Sequence, residues 1–443
     1  MTSGAVDRLS LLLLMAAIAV VAAILLRNAP KFALVLWLVS VGFVPIWFGL
    51  NVGFYFTPAA LVGGLVLVAL APYSGQRMTM IDWGVLSLVV ACIAPVAVGG
   101  STVTSLFVVI TGWGVAFLLG RLLPARLSLT WIYSCVSVVF TVIAVLSLIE
   151  FVLKWNPYVE FHVANELYQK WGDLQERGGL MRTEWAFGQS IALGGSLAMV
   201  IPLALASGFR FRTRAIMVTV MLLAILPTFS RTSIICAGLS LVLSMWTLQL
   251  ELSTRARAAI AGATAVVAVA TIPFVTGVFS AAGSEATNSA SYRGKLTSLI
   301  GDISILGFST SAYRDPSGDL RFGRFQYIDS ALLLAGLTYG WLALILICIL
   351  LVIAVAAVVA RRATAPTTAL VAQIPAFATV ALITQYSMVV WFIGGLAVAS
   401  QALRPAPGNR SKALSSPDWV QENRGIPGPE TQSMQRGGVH ATA

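Results

Sequence analysis

Three arginines are the residues of this chain whose type and position could bind an anion. Arg182 precedes a long apolar run, Arg231 opens another, and Arg293 begins the segment 294–306, whose apolar spacing predicts an amphipathic helix on the outer membrane surface. The planar, permanently charged guanidinium group fits phosphate oxygens. Placing the charge of an arginine at a lipid boundary costs free energy unless an oppositely charged or hydrogen-bonding group pairs with it. Three at one boundary predict a site for a lipid-linked phosphate or pyrophosphate; each alone could also be a head-group anchor.

Two carboxylates beside these arginines could exchange a proton with a substrate hydroxyl. Glu184 is two positions after Arg182, and Asp329 immediately precedes the apolar run 330–360. General-base catalysis requires a carboxylate of this kind within hydrogen-bond reach of the reacting group. Each carboxylate has a structural alternative. Glu184 could form a salt bridge with Arg182, and Asp329 could cap the helix that follows it.

The composition places these residues in a membrane protein. Of the 443 residues, 58% are hydrophobic and 10% are charged, whereas a soluble domain carries roughly 25% charged residues. The mean hydropathy is +0.88. The chain has two histidines, four cysteines and no Cys-x-x-Cys pair, so neither a metal site nor a disulfide framework is predicted. No nucleotide-binding glycine motif follows a predicted strand, and no cofactor is expected.

The apolar runs predict an all-α polytopic membrane protein of about 12 helices, because a spanning helix needs about 20 apolar residues. The runs are 9–26, 32–50, 55–72, 83–99, 102–119, 128–153, 187–207, 215–229, 232–250, 258–279 and 330–360. A further stretch, 367–402, is too long for one upright helix. It predicts either one tilted helix or two short helices joined near Gln385.

Basic residues in alternate short loops orient the predicted helices, since such loops face the cytoplasm. They are Arg27/Lys31, Arg77, Arg121/Arg126, Arg210/Arg212/Arg214, Arg255/Arg257 and Arg361/Arg362. The net charge of +11 is therefore a sign of membrane orientation, and no nucleic-acid partner is expected. The same alternation places the amino terminus and two long loops, about 154–186 and 281–328, outside the cytoplasm.

The chain is predicted to have one large domain and a tail. Residues 1–403 form the predicted transmembrane domain. Residues 404–443 are rich in Pro, Gly and Ser and contain Arg404, Arg410 and Lys412. This composition is typical of a disordered segment, and its basic residues favour the cytoplasmic side.

Four segments within about 180–345 carry a further signal. They are Met181–Gly194 around Arg182, Leu226–Ser233 around Ser230-Arg231, Ser291–Phe308 beginning at Ser291-Tyr292-Arg293, and Tyr327–Leu333 with Gly336 and Gly340 after it. In this order they resemble the motifs of the O-antigen ligase and O-antigen polymerase superfamily of bacterial envelope proteins. The third segment lacks the proline usual in that family. The fourth has Asp329 where ligases usually have histidine, which favours the polymerase or exopolysaccharide branch.

The resemblance implies a multi-helix membrane glycosyltransferase fold of the GT-C type in the bacterial cytoplasmic (inner) membrane, with its active face outside the cytoplasm. The donor would be an oligosaccharide on polyprenyl pyrophosphate and the acceptor a glycan or lipid hydroxyl, with other polysaccharide-assembly proteins as candidate partners. Arg182, Arg231 and Arg293 would bind the leaving pyrophosphate, and Arg293 would also act in catalysis. Asp329 or Glu184 would take the acceptor proton, without a metal or cofactor.

A transporter or flippase of a lipid-linked glycan or another anion is the alternative from a different class. Such a protein should carry ionisable residues near the middle of its spans and show internal symmetry. The middles of these apolar runs are nearly free of charge, with Glu150 near the end of one run. The pattern therefore favours the glycosyltransferase over transport or a purely structural role in assembly.

Overall fold

The computed structural model describes residues 17–70, 77–248, 291–292, 294–316 and 320–404, together with Gly262 and Gly277. The chain divides into two compact units, Met1–Ala402 and Leu403–Ala443. The second unit is described only at Leu403 and Arg404. The predicted tail beyond Arg404, Arg293 and the predicted span 258–279, except for its two glycines, lie outside the described residues.

The described part of the first unit is built mainly of apolar helices. The first nine are α1 (Ala17–Asn28), α2 (Pro30–Phe43), α3 (Pro58–Leu70), α4 (Met80–Ala97), α5 (Val103–Val108), α6 (Val115–Leu122), α7 (Leu129–Leu153), α8 (Pro157–Glu160) and α9 (Glu166–Trp171). The next eight are α10 (Ser190–Leu205), α11 (Phe211–Ile225), α12 (Arg231–Thr247), α13 (Ala331–Tyr339), α14 (Trp341–Val359), α15 (Ala365–Ala372), α16 (Ile374–Thr379) and α17 (Tyr386–Ala402).

Five helical stretches in the described residues are long and apolar enough to cross a membrane. They are Met80–Ala97, Val103–Ala125, Leu129–Leu153, Phe211–Thr228 and Trp341–Val359. In the second of these, α5 and α6 are joined through the π-helical turn Val109–Gly114. Six further apolar helices are shorter. The helical content and these apolar helices confirm the prediction of an all-α membrane protein at the level of class.

Three small antiparallel hairpins interrupt the helical pattern, and the sequence did not predict them. They pair β1 (Leu50–Val52) with β2 (Phe54–Phe56), β3 (Glu176–Arg177) with β4 (Leu180–Met181), and β5 (Ala312–Arg314) with β6 (Leu320–Phe322). The β3–β4 hairpin turns through Gly178 and Gly179, which both have positive φ. Glycine adopts this conformation without the steric cost of a Cβ atom. This turn places Arg182 directly after β4.

Helix α10 lies at the centre of the helical core. All of its residues except Ile191 are buried, as expected for a helix that is apolar on every side. Small residues allow neighbouring helices to approach closely. A Cβ atom at Gly195 would lie 2.9 Å from the hydroxyl oxygen of Tyr386 in α17. The core therefore depends on Gly194 and Gly195 for helix packing, as small residues do in membrane interiors.

Two of the predicted long spans are broken into shorter helices. The run 330–360 was predicted as one span, but it contains α13 and α14, which are separated at Gly340 with φ of +91°. That backbone conformation ends a helix and is open to glycine. The stretch 367–402 contains α15, α16 and α17, with Gln385 immediately before α17. The prediction of one tilted helix is wrong. The predicted break near Gln385 is confirmed, but the stretch holds three short helices where two were predicted.

The predicted amphipathic helix over 294–306 is shorter than predicted, because the chain is helical only to Asp302. A 3₁₀ helix occupies Thr297–Asp302, and residues 303–306 are not helical. Part of the apolar side of the segment is buried against protein, whereas Ile300 and Leu306 are exposed. Leu296, Leu299 and Ile303 form a cluster with Phe322, Phe325, Ile328 and Leu337. The β5–β6 hairpin thus covers part of the apolar face of this segment, and its contact with the membrane surface stays a prediction.

The helix ends fall on two opposite faces, which are joined by α7. The basic face carries the helix ends near Lys31, Arg77, Arg121, Arg214 and Arg361. There Arg121 pairs with Asp82 at 2.9 Å, Lys31 lies 5.8 Å from the Trp131 ring centre, and Arg361 lies 3.8 Å from that of Trp246. Among the described residues, the loop face carries 44–57, 98–102, 154–189, 226–230, 303–316, 320–330 and 380–385. The charged loops that the sequence assigned to one side thus share one face.

Candidate functional site

Arg182 joins the loop 154–189 to the turn before α12. Its side chain is 5% exposed, and its Nε donates to the carbonyl oxygen of Thr228 at 2.9 Å. Its Nη1 donates to Oε1 of Gln175 at 3.0 Å. The next residue, Thr183, donates its N–H to the carbonyl of Pro227 at 3.1 Å. The first and second motif-like segments, 46 residues apart at this contact, are therefore bonded directly to each other.

The turn before α12 places Arg231 at the first position of that helix. Phe229 is buried and has φ of +45°, and Ser230 caps the helix by accepting the N–H of Ser233 at 3.2 Å. The side chain of Arg231 is exposed. The first turn of a helix offers N–H groups and a partial positive charge to an anion. Ser230 supplies the cap, and Arg231 is the first residue of the helix. Its charge therefore lies beside a helix N-terminus, where a phosphate group can bind.

Arg177 is a further arginine at this turn. Its Nη1 donates to the carbonyl oxygen of Phe229 at 2.7 Å, and its residue is half-buried. Sequence reasoning treated Arg177 as an ordinary loop charge. Its only sequence signal was its position five residues before Arg182, since the contact with Phe229 depends on tertiary structure. Arg177, Arg182 and Arg231 all lie around the same turn.

Glu184 is buried behind this arginine group, at 1% exposure. Burial raises the pKa of the Glu184 carboxyl to about 8. The charge of Arg182 and the N–H donors of Gln175 and Ser190 oppose this rise, whereas the charge of Glu150 adds to it. Arg182 thus acts electrostatically on Glu184, and the salt bridge between them stays a prediction. A carboxyl with a pKa in this range can hold or release a proton near neutral pH.

Glu150 is a buried carboxylate that sequence reasoning did not assign to the site. It lies in the last turn of α7 and is 2% exposed. Its Oε1 accepts the N–H of Glu184 at 3.1 Å, and its Oε2 accepts the N–H of Trp185 at 2.9 Å. The sequence signal was a single acid at the end of an otherwise apolar run. Glu184 and Trp185 lie more than thirty positions away from Glu150, and nothing in the sequence pairs them with it.

Asp329 lies on the loop face immediately before α13 and is half-buried. The alternative that it caps this helix is wrong, because the cap is Ser330, which accepts the N–H of Leu333 at 3.2 Å. Burial and the charge of Asp329 both raise the pKa of Tyr292. The hydroxyl of Tyr292 donates to the carbonyl of Tyr327 at 2.6 Å. Asp329 thus lies near the residue that precedes Arg293 in the chain.

The segment Thr379–Val380 connects the start of α12 with the start of α13. The hydroxyls of Thr232 and Thr379 lie 3.3 Å apart, and Ala331 donates its N–H to the carbonyl of Val380 at 2.9 Å. The loops also meet directly, because Lys170 Nζ lies 5.4 Å from the ring centre of Tyr327. Direct bonds therefore join the segment that carries Arg182 and Glu184 to the turn before Arg231. Asp329 belongs to the adjoining loop.

An apolar cleft of about 580 Å³ runs beside α14, between α4, α6 and α17. At one end it is lined by Ala331 and Leu332, two and three residues after Asp329. At the other end it is lined by Arg362 and Gln401 on the basic face. Its walls are otherwise almost wholly apolar. The cleft can hold a hydrocarbon chain that extends from the loop face into the bundle.

The fold and these contacts define a mainly helical membrane protein with an arginine-rich cluster on its loop face. In the described part of the chain, no group of three or more His, Cys, Asp or Glu side chains is arranged to hold a metal ion. No family model, no curated protein and no solved structure matches the chain.

Proposed function

We propose that the protein is an integral-membrane glycosyltransferase with about 12 spans and a GT-C-like fold, related to O-antigen polymerases and ligases. It would extend or transfer an oligosaccharide carried on polyprenyl pyrophosphate, on the outer side of the bacterial cytoplasmic membrane. The main support is the bond from Arg182 to the carbonyl of Thr228. This bond brings two motif-like segments to one turn, where Arg177 and Arg231 also lie.

In the proposed reaction, an acceptor hydroxyl attacks the anomeric carbon of the donor sugar. The new glycosidic bond forms as the bond to the pyrophosphate oxygen breaks, and the hydroxyl proton passes to a carboxylate. The arginines and the first turn of α12 stabilise the negative charge on the leaving pyrophosphate. Asp329 is the better candidate for the base because it is half-buried, whereas Glu184 is enclosed.

The apolar cleft beside α14 supports a lipid-linked donor. A polyprenyl chain needs an apolar path that begins near the charged head group, because burying its hydrocarbon surface is favourable. The cleft begins at Ala331 and Leu332, just after Asp329. This position would allow the head group to lie at the loop face while the chain occupies the bundle.

The test is substitution of Arg182, Arg231 and Arg293 by Ala and of Asp329 by Asn, one at a time. Each full-length variant is expressed in the native host lacking the parent gene, and surface polysaccharide and lipid-linked intermediates are separated on gels. Loss of one charge-stabilising donor should lower the rate on the order of 10²–10³-fold. The matched control is Arg212→Ala, which removes an exposed arginine from the basic face and should leave the products unchanged.

The pattern of products distinguishes the branches of the proposal. Single lipid-linked repeats that accumulate without long chains indicate a polymerase. Long lipid-linked chains that accumulate without transfer indicate a ligase. Parental products from all four variants at parental protein levels contradict the catalytic proposal and favour transport or assembly instead.

A further inference from the structure

Glu150 is an acidic group enclosed by protein at the loop-face end of α7. It has three hydrogen-bond donors, and all three belong to the segments that carry the candidate site. Two are the backbone N–H groups of Glu184 and Trp185, and the third is Nδ2 of Asn156 at 2.9 Å. A buried carboxylate is costly unless such donors satisfy it. The position of Glu150 therefore requires the loop to keep its present course.

The peptide groups on both sides of Trp185 are held by this arrangement. Glu150 accepts the N–H of Trp185, and Asn156 Nδ2 donates to the carbonyl oxygen of Trp185 at 3.1 Å. Trp185 has φ of +46°, a conformation that is costly for a residue with a large side chain. The hydrogen bonds from Glu150 and Asn156 offset that cost. Without them, the backbone at Trp185 should relax to an ordinary conformation.

The short stretch from Arg182 to Trp185 is thus fixed at both ends. At its start, Arg182 and Thr183 bond to the carbonyls of Thr228 and Pro227. At its end, Glu184 and Trp185 bond to the Glu150 carboxylate. A shift at Trp185 would move the Glu184 carboxyl directly and the Arg182 guanidinium through two intervening residues.

We propose that Glu150 is a positioning residue for the arginine cluster, acting by fixing the backbone of Glu184 and Trp185 so that Arg182 and the Glu184 carboxyl keep their places beside the Thr228–Arg231 turn. The inference rests on the proposed function for the identity of the ligand. The contacts themselves do not depend on it. Glu150 acts through the loop and is separated from substrate by it.

Glu150 also has an electrostatic effect that a purely packing role would lack. The charged groups acting on Glu184 are Arg182 from its own loop and Glu150 from α7. The Glu150 charge adds to burial in raising the pKa of Glu184. Glu150→Gln removes this charge while keeping the side-chain size, so it should lower the pKa of Glu184. Any step that requires ionised Glu184 should then reach its plateau at lower pH.

The test compares Glu150→Gln and Glu150→Ala in the full-length protein, reconstituted in lipid nanodiscs. Hydrogen exchange is followed by mass spectrometry on peptides that contain residues 182–186. Exchange at Glu184 and Trp185 should accelerate about 10-fold or more in Glu150→Ala, which loses both acceptor oxygens. Glu150→Gln should accelerate exchange less, because its amide keeps one oxygen that can accept one of the two N–H groups. The matched control is Ser147→Ala on the same helix, where the hydroxyl bonds to the carbonyl of Ala144. That variant should exchange like the parent in this loop.

The functional readout is the apparent KM for lipid-linked donor, measured with kcat across pH. Both Glu150 variants should raise KM about 10-fold, and Glu150→Gln should shift to lower pH any part of the profile that reports the ionisation of Glu184. Binding of inorganic pyrophosphate to the same variants, followed by protection of residues 182–186 in exchange, provides a readout that needs no turnover.

Different outcomes test the positioning role of Glu150 and the proposed function. Unchanged exchange at residues 182–186 in both Glu150 variants overturns the positioning role. The positioning role is also overturned if exchange is faster but KM, the pH profile and protection by pyrophosphate match those of the parent. Glu150 would then stabilise only the local structure of the loop. If Arg182→Ala retains full polysaccharide synthesis, the proposed function fails. Loss of pyrophosphate protection in the Glu150 variants would still support the positioning role in that case.

Discussion

Arg182 is buried and Arg231 is exposed, although both lie beside the turn that ends at Ser230. Lysine cannot reproduce the two hydrogen bonds of Arg182 to Thr228 and Gln175, so Arg182→Lys should lower the free energy of unfolding by roughly 1–3 kcal/mol. Arg231→Lys should change it by less than about 0.5 kcal/mol. Both should reduce polysaccharide synthesis at least about 10-fold, since lysine lacks the planar fork that binds phosphate. Thermal unfolding in detergent and product gels measure the two effects.

Glu184 should make the stability of the protein depend on pH. Its pKa is about 8 in the folded protein, above the ordinary glutamate value, so the folded state binds this proton more tightly than the unfolded state does. The stabilisation is present below the unfolded pKa and is lost as pH rises toward the folded pKa. Glu184→Gln should therefore match the parent near pH 5 and unfold at higher temperature than the parent near pH 9. Parallel unfolding curves at both pH values would contradict this assignment.

Asp329 and Ser330 are adjacent, but the structure gives them different roles. Ser330→Ala removes the cap of α13 and should cost about 1 kcal/mol of stability. Asp329→Asn leaves that cap intact, and should lower the rate of synthesis roughly 10²–10⁴-fold if Asp329 is the base. Unfolding midpoints and initial rates of the two variants check this division. A Ser330→Ala variant with a larger rate defect than Asp329→Asn would contradict it.

At the scale of residues, the sequence predicted part of the site. Arg182, Arg231 and Glu184 could be chosen because each stands beside an apolar run, and the structure joins their segments. Arg177 and Glu150 could not be chosen, because their partners Phe229 and Trp185 are distant in the chain. The alternative that Asp329 caps α13 was wrong by one residue, because the cap is Ser330. The sequence shows which polar residues lie at the ends of apolar runs. Which of these residues contact each other is decided by the tertiary structure.

At the scale of elements, the positions of the helices followed from the apolar runs, but their breaks did not. Within 330–360 the hydropathy is almost uniform, so no periodicity marks Gly340 as a boundary. The cause is local backbone geometry. Gly340 has φ of +91°, and a Cβ atom there would lie 2.6 Å from the carbonyl oxygen of Ile305. The 3₁₀ helix Thr297–Asp302 was missed because its apolar spacing also fits an α-helix.

This boundary can be tested by adding one methyl group. Gly340→Ala forces a strained backbone and a clash, so it should destabilise the protein by roughly 1–3 kcal/mol. Gly64 in α3 is the control, because a Cβ atom there meets no other atom within 4 Å. Gly64→Ala should be neutral or stabilising by up to about 1 kcal/mol. Equal unfolding temperatures for the two variants would show that the break at Gly340 needs no glycine.

At the scale of the whole molecule, charge separates two faces and an apolar cleft lies between them. The alternation of basic loops predicted this grouping, because it depends only on the order of charges and spans. The cleft was not predictable, since Ala335, Ala354 and Val390 line it from helices far apart in sequence. The cleft results from the way α14 packs beside α4 and α17.

Filling the cleft should interfere with a lipid-linked donor. Ala354→Trp places a large side chain in the cleft beside α14 and should reduce polysaccharide synthesis at least about 10-fold, because contact area for the hydrocarbon chain is lost. Val68→Trp is the control; Val68 lines a separate groove between α1 and α3 and is 66% exposed. Product gels at matched protein levels measure both. Full synthesis by Ala354→Trp would exclude this cleft from the donor path.

The enclosure of α10 also constrains how the protein is made. Its Gly195 surface packs against Tyr386, which leaves the ribosome long after Gly195 does. During synthesis that surface must be covered temporarily by lipid or by an insertion factor, and the late arrival of α17 displaces the cover. A chain truncated before residue 386 should therefore insert but keep an open glycine face, which membrane quality-control proteases can recognise.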